Sequence, residues 1–359
     1  MIVRAAAAVV ALLALAAGCA PAAGTADEPG PRIALLLPES KTARYEAHDR
    51  PAFEERVRRR CPACTTIYSN ANQDGARQQA QAEAALTNGA DVLVLDPVDS
   101  VSSAVIVRAA AAAGVPVITY DRMVLDVEVD FHVTFDNERV GELQAAALLE
   151  AIAADDRDDG VIVMLNGAPT DDNARLLITG AHRVLDPADV RIGAEFDIPD
   201  WSPDKAQEQM ERALATIGRD RVIGVYAAND GIAGGAVAAM KAGGVSPLPP
   251  ITGQDAELAA IQRILVGEQH MTVYKAIRSQ AAVAADAAIA LALHGAVPPS
   301  LATDTVFNGS AQVPAHILSP AVVTRSTIAG TVIADGLWSA EDICTGRFRA
   351  ACSDAGISQ

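Results

Sequence analysis

From residue 32 onward, short unbroken apolar runs alternate with longer amphipathic stretches. Arg32–Pro38 (RIALLLP), Asp91–Pro97 (DVLVLDP), Pro116–Arg122 and Val161–Asn166 show no polar alternation, which marks strands buried on both faces. Thr65–Asn70, Phe131–Asp136, Arg191–Ile198, Val222–Asn229, Ile251–Gly253 and Met271–Tyr274 continue the strand series. Helical stretches fill the gaps, first up to about Arg60, over Gln73–Asn88 and up to Ala113. Later ones fall near 138–154, 173–185, 204–217, 231–242, 257–266 and 277–294. Strand–helix alternation predicts right-handed βαβ units and parallel sheets. About ten such strands exceed one comfortable sheet. The pattern therefore predicts an α/β chain of two doubly wound parallel-sheet lobes. After Gly295 the chain is Pro-rich, with short strands at Gln312–Leu318 and Thr327–Ala334, and Ser353–Gln359 reads as a frayed end.

The first residues follow a different pattern. Met1-Ile2-Val3-Arg4 precedes an apolar run from Ala5 to Ala17, shorter than the ~20 residues a bilayer span needs. One positive charge, a short apolar run and small residues describe a signal peptide over 1–18. The run ends Leu15-Ala16-Ala17-Gly18-Cys19, which resembles the bacterial lipobox with its Leu one position early. Cys19 would then carry the lipid that anchors an exported lipoprotein on the extracytoplasmic side of the cell membrane. The alternative is an ordinary secretory signal cut near Ala20–Ala23, with Cys19 lost. Residues 19–31, rich in Pro, Gly and small residues, read as a flexible tether.

Cys61, Cys64, Cys344 and Cys352 remain, and an even number in an exported chain reads as disulfides. Local pairing, Cys61–Cys64 and Cys344–Cys352, is the simplest of the three connectivities. The rival for Cys-Pro-Ala-Cys is a thiol enzyme, whose motif opens a helix after a strand. Here Cys61 follows Arg58-Arg59-Arg60 at a helix end, and Thr65 begins a strand. No His pair stands at zinc-ligand spacing, so neither a metal nor a cofactor is expected.

Charge narrows the partners. Lys and Arg number 28 against 45 Asp and Glu, a net −17 without a basic block, which argues against nucleic acid and against anionic lipid bound through the body. The arginines of 56–60 are expected to serve the C-terminal end of their helix dipole. In open α/β sheets ligands bind beyond the carboxyl ends of strands. Those ends carry Asp96, Asp121-Arg122, Asn166, Asp200-Trp201, Asn229-Asp230, Gln254-Asp255 and Lys275. No Ser-His-Asp or Cys-His set stands among them, no Walker loop is present, and Asp230-Gly-Ile-Ala-Gly-Gly235 lacks the dinucleotide spacing. Carboxylate acceptors alternating with Arg, Lys and Asn donors suit a neutral polyhydroxylated ligand, whose hydroxyls both donate and accept.

Six ordered segments carry a specific resemblance: Tyr120-Asp-Arg-Met, Phe135-Asp-Asn-Glu-Arg-Val-Gly-Glu-Leu-Gln144, Asp171-Asp-Asn-Ala174, Asn229-Asp, Gly253-Gln-Asp-Ala-Glu-Leu-Ala259 and Met271-Thr-Val-Tyr-Lys275. Over about 32–335 the chain resembles the D-xylose-binding proteins of bacterial ABC transporters, type I periplasmic sugar binders related to those for ribose and galactose. The resemblance implies a non-enzymatic, monomeric protein that captures a monosaccharide, D-xylose first, and delivers it to an ABC permease. It implies sugar contacts from Asp121, Arg122, Asp171, Asn173, Asn229, Asp255 and Lys275, with Trp201 as a stacking platform. Each has a structural alternative: an Asp121–Arg122 ion pair, N-capping by Asp171 and Asn173, core packing of Trp201, a turn at Asn229, and an Asp255–Lys275 salt bridge at the hinge. Where these proteins carry Arg-Trp as the opposing face, this chain has Arg44-Tyr45, so Tyr45 is expected to stack with a smaller ring or to pack in the core. Asp96 has no counterpart and reads as structural.

The implied lobes are 32–136 plus 256–304, and 137–255 plus 305–345, with 346–359 as a C-terminal tail. A sensor subunit for a histidine kinase or chemoreceptor, and a binder of glucose or another monosaccharide, are the alternatives within this reading. A sugar-responsive repressor of the same fold would need an N-terminal helix-turn-helix where this chain has a signal segment.

Overall fold

The computed structural model describes residues 30–155 and 159–357. The expected signal peptide, Cys19 and all of the tether before Gly30 lie outside the described residues.

In the first lobe β1 (Arg32–Leu37), β2 (Thr65–Asn70), β3 (Val92–Leu95), β4 (Val117–Tyr120) and β5 (Phe131–Phe135) alternate with α1 (Arg50–Arg60), α2 (Gly75–Thr87) and α3 (Ala104–Ala112). All neighbouring pairs among these strands are parallel. Every residue of β3, β4 and β5 is buried, as the unbroken apolar runs predict for a sheet covered on both faces.

The second lobe holds α4 (Asn137–Ala154), β6 (Val161–Asn166), α5 (Asp172–Leu185), β7 (Arg191–Asp197), α6 (Pro203–Ile217), β8 (Val222–Ala227), α7 (Asp230–Ala242), α8 (Leu258–Leu265) and β9 (Thr272–Tyr274). Its sheet runs β7-β6-β8. Parallel bridges from Val225 to Ile251 and from Gln254 to Val273 carry the layer on to β9. The chain then returns to the first lobe. There α9 (Ile277–His294) packs on α1, and β10 (Asp304–Phe307) and β11 (Gln312–Leu318) extend the first sheet to the order β10-β11-β5-β4-β3-β1-β2. Finally β12 (Ala321–Val323) pairs antiparallel with β9 in the second lobe.

Three crossovers join the lobes, but two fall elsewhere than the expected 256 and 304. The chain changes lobe between Tyr274 and Ile277 and again between Leu318 and Ala321. Met271 and Val273 are fully buried in the second core, while β11 pairs in parallel with β5 from Ala315 to Leu318. Pairing and burial, both non-local, decide the boundaries.

Two tail expectations also change. Thr327–Ala334 is not a strand; it contains a π-helical turn at Ala329–Ile333. Its backbone bonds within the segment, the Ile333 amide to the Ile328 carbonyl at 3.3 Å and the Ala334 amide to the Ala329 carbonyl at 3.2 Å, instead of to a neighbouring strand. Nor is 353–357 frayed: Ile357 is buried in a cluster with Ile343, Cys344 and Cys352. Cys344 is bonded to Cys352, and Cys61 to Cys64. With Cys61 closing α1 and Thr65 opening β2, the second pair staples a helix–strand turn.

Candidate functional site

The carboxyl ends of the strands from both lobes meet in one closed cleft. It is lined by Thr42, Arg44, Tyr45, Asp121, Arg122, Asp171, Asn173, Trp201, Asn229, Gln254, Asp255 and Lys275. All nine residues expected to contact a ligand are thus brought together, along with three others. The free volume between them is about 20 Å³, room for about one water. A ligand of monosaccharide size can enter only after the lobes part.

In lobe one, a buried Glu39 carboxylate accepts from the Thr42 amide at 3.0 Å and turns the chain after β1. A π-helical turn over Tyr45–Asp49 follows and buries Tyr45 and Asp49. Arg44 grips Asp49 with two nitrogens, at 2.9 and 2.7 Å, and Gln280 at 2.6 Å. Its third nitrogen faces Asp121 at 3.4 Å and Asp255 at 3.9 Å. The Tyr45 hydroxyl donates to the other Asp121 oxygen at 3.1 Å. Burial alone would raise the Asp121 carboxyl, but Arg44, Lys275 and Arg122 hold it well below the usual carboxylate range. Arg122 lies 2.9 Å from Asp171 and 3.7 and 3.8 Å from Asp96 and Glu39.

Lobe two presents helix termini. Asp171 is the N-cap of α5, accepting from the Asn173 amide at 2.9 Å, while its second oxygen accepts from Trp201 Nε1 at 3.2 Å. Capping and cleft-lining are thus one residue's work. Burial raises the Asp171 carboxyl, with Arg122 opposing. Asn173 reaches across the cleft to the Asp121 carbonyl at 3.2 Å. Asn229 caps α7 through the Ile232 amide at 2.9 Å. Lys275 stands 3.1 Å from Asp255. Trp201 packs so closely on Gly167 that a Cβ there would lie 2.2 Å from its ring.

Asp121, Trp201, Asp255 and Ala256 all have positive φ, between 53° and 94°. That region is costly for residues other than Gly, and its concentration here marks a site the surrounding fold holds in place.

Three cleft residues escaped the sequence reading as contacts. Arg44 was visible only as the companion of Tyr45, and Gln254 only as the companion of Asp255; Thr42 gave no signal. Gln254 Oε1 is buried without a hydrogen bond, and Asp255 Oδ1 is held by its ion pairs with Lys275 and Arg44. Asp96 lies behind Arg122 and does not line the cleft, in line with a structural role.

The profile of a family described as "Periplasmic binding protein domain" matches residues 33–296. The chain is 36% identical over 309 residues to a D-xylose-binding periplasmic protein of Escherichia coli (strain K12), covering 85% of this chain and 90% of that one. Among solved structures it resembles an ABC transporter solute-binding protein from Clostridium phytofermentans with bound β-D-glucose: TM-score 0.80, 25% identity, covering 87% of this chain and 99% of that one. A carbohydrate transporter solute-binding protein from Chloroflexus aurantiacus, in complex with D-glucose, matches with TM-score 0.77 and 29% identity over 86% of this chain and 97% of that one.

Proposed function

The chain belongs to the periplasmic binding protein family, exported solute binders of ABC transporters rather than enzymes, and from that premise we propose that its cleft captures a monosaccharide, D-xylose first, for an ABC permease. One observation carries the reading: the acceptors Asp121, Asp171 and Asp255 and the donors Arg44, Arg122 and Lys275 line one cleft together with Tyr45 and Trp201. A pyranose laid between the two rings meets an acceptor or a donor at each hydroxyl, and the lobes close over it by a hinge motion. Hydrogen bonds to charged groups contribute roughly 1.5–3 kcal/mol each. After the costs of association and closure, a micromolar constant, about −8 kcal/mol, is the expected scale.

Titration calorimetry against pentoses and hexoses tests this. D-xylose should bind at least about tenfold tighter than L-arabinose or D-ribose, because an inverted or missing hydroxyl leaves buried groups unpaired. Asp255→Ala and Lys275→Ala should each abolish binding while the chain stays folded. If no monosaccharide binds and both variants match the wild type, the site assignment fails. A second reading, D-glucose, is favoured by the glucose found in the two related structures. It has the same hydroxyl pattern plus one carbon, which the smaller Tyr45 would accommodate; tighter binding of glucose than xylose would establish it.

The proposal extends to a lipid anchor at Cys19, supported by the small residues that precede it. Cys19→Ala should move the protein from the membrane fraction to the soluble one; unchanged fractionation would remove the anchor from the proposal.

A further inference from the structure

Away from the cleft, lobe one carries a second cavity, about 340 Å³, between the π-helical turn and α1 on one side and the start of α9 on the other. Its polar lining is His48, Glu55, Arg56, Arg59 and Arg278, a cationic excess on a chain of net charge −17. Arg56 is accounted for by a two-pronged ion pair with Asp286, at 2.9 and 2.5 Å. Arg59 and Arg278 make no hydrogen bond or ion pair among the described residues.

Helix stability does not explain Arg278. It is the second residue of α9, where the macrodipole disfavours a cation. His48 Nε2 is buried without a hydrogen bond. Burial holds this imidazole below its ordinary value, with Arg278 and Arg44 adding to the effect and Asp49 opposing it.

We propose that this groove is a second ligand site, for a phosphate-bearing anion, and that its occupation is felt in the sugar cleft. Two guanidinium groups with free donors match phosphate oxygens, and the volume lies at the lower end of the ~300–1,000 Å³ typical of small-molecule pockets. The coupling route is on one residue. His48 precedes Asp49, which holds Arg44 in the cleft, and its ring meets Trp338 edge-on at 4.7 Å. The Trp338 indole donates to the Ala256 carbonyl at 2.8 Å, next to Asp255. The groove wall thus touches both sides of the hinge. The site itself does not depend on the sugar reading; only the coupling does.

Calorimetry of the whole exported protein with inorganic pyrophosphate should show saturable binding. The double variant Arg59→Ala/Arg278→Ala should weaken it about tenfold or more, while still binding the sugar and melting cooperatively. Co-sedimentation with phosphatidylglycerol vesicles, against phosphatidylcholine controls, separates the sources: vesicle binding lost in the double variant, without pyrophosphate binding, assigns the site to a lipid headgroup. Failure to bind either probe overturns the proposal, as does binding undiminished in the double variant. Coupling is reciprocal, so saturating pyrophosphate should shift the sugar dissociation constant in the wild type and not in the double variant. An unshifted constant overturns the coupling, and the direct measurements then decide the site alone.

Discussion

The two walls of the cleft hold their carboxylates in opposite electrostatic regimes. In lobe one, Asp121 would be raised by burial, yet Arg44, Lys275 and Arg122 hold it below the usual range. In lobe two, burial prevails and Asp171 is raised. Behind it burial pushes Asp230 up to about 7 and Glu257 up to about 8, with only partial relief from Arg263. The cause is architectural. Lobe one builds its wall from side chains of distant segments, Arg44, Asp49, Asp121 and Gln280, that neutralise one another. Lobe two builds its wall from residues already engaged at helix starts, Asp171 on α5 and Asn229 on α7, and Asp171 takes its close cation, Arg122 at 2.9 Å, from lobe one. Asp96 is lobe one's exception: fully buried and raised by that burial, with Arg122 no nearer than 3.7 Å. A charge network and a set of helix caps can thus line one cleft with similar polar groups at very different electrostatic cost.

The largest expected effect breaks the network. Arg44→Ala leaves Asp49 and Asp121 buried with their main cation gone, which should lower stability by about 3–5 kcal/mol and abolish sugar binding. Asp171→Asn, on the other wall, keeps the oxygen that caps α5 but takes from Arg122 and Trp201 the oxygen they face; because Asp96 and Glu39 still stand 3.7 and 3.8 Å from Arg122, it should cost less than Arg44→Ala. Urea unfolding of both variants decides this. Equal losses would mean that the walls do not differ as described.

Acidity sharpens the same contrast. Asp121 has a lowered folded pKa, so its contribution is present above the unfolded value of ~3.9 and is lost as pH falls toward the folded one. Asp230 and Glu257 run the other way. Their folded values, about 7 and about 8, exceed the unfolded ones, so their contribution is complete below ~4 and is lost as pH rises through 7 and 8. The urea midpoint should therefore fall between about pH 5.5 and about pH 8.5. Asp230→Asn should flatten that fall, since it removes the titrating carboxyl; its one amide oxygen can keep the Glu257 amide and Thr272 as donors, while the bond from Gln269 to the other oxygen is lost. A midpoint that rises with pH over this window would contradict the lobe-two half of the comparison.

Legibility in the sequence followed the same divide. Lobe-two groups sit in local motifs: Asp171 and Asn173 two apart at a helix start, Asn229 just after β8. The doubly wound architecture was equally visible, because buried parallel strands leave unbroken apolar runs. The lobe-one network was only half visible. Nothing local in Arg44 announces Asp49, Gln280 and Asp121 as its partners, and Gln280 comes from a helix 236 residues away. Likewise β9 and β11 look alike as short apolar runs, and only long-range pairing assigns them to opposite lobes.

The smallest effect separates capping from recognition at a single residue. Asn229 accepts the Ile232 amide at the start of α7 and also lines the cleft. Asn229→Ala loses both roles and should cost about 1 kcal/mol of stability, the usual loss for an N-cap. Asn229→Asp keeps the capping oxygen and places a negative charge where the helix dipole favours it, so stability should return to within a few tenths of a kcal/mol of the wild type. It nevertheless removes the amide donor and adds an anion to a cleft that Asp255 also lines, so sugar affinity should stay low, down about tenfold or more. Urea unfolding and calorimetry on the two variants read these outcomes separately. If Asp restores affinity as well as stability, Asn229 serves the helix alone, and the lobe-two wall contributes one hydrogen-bonding group fewer than its geometry suggests.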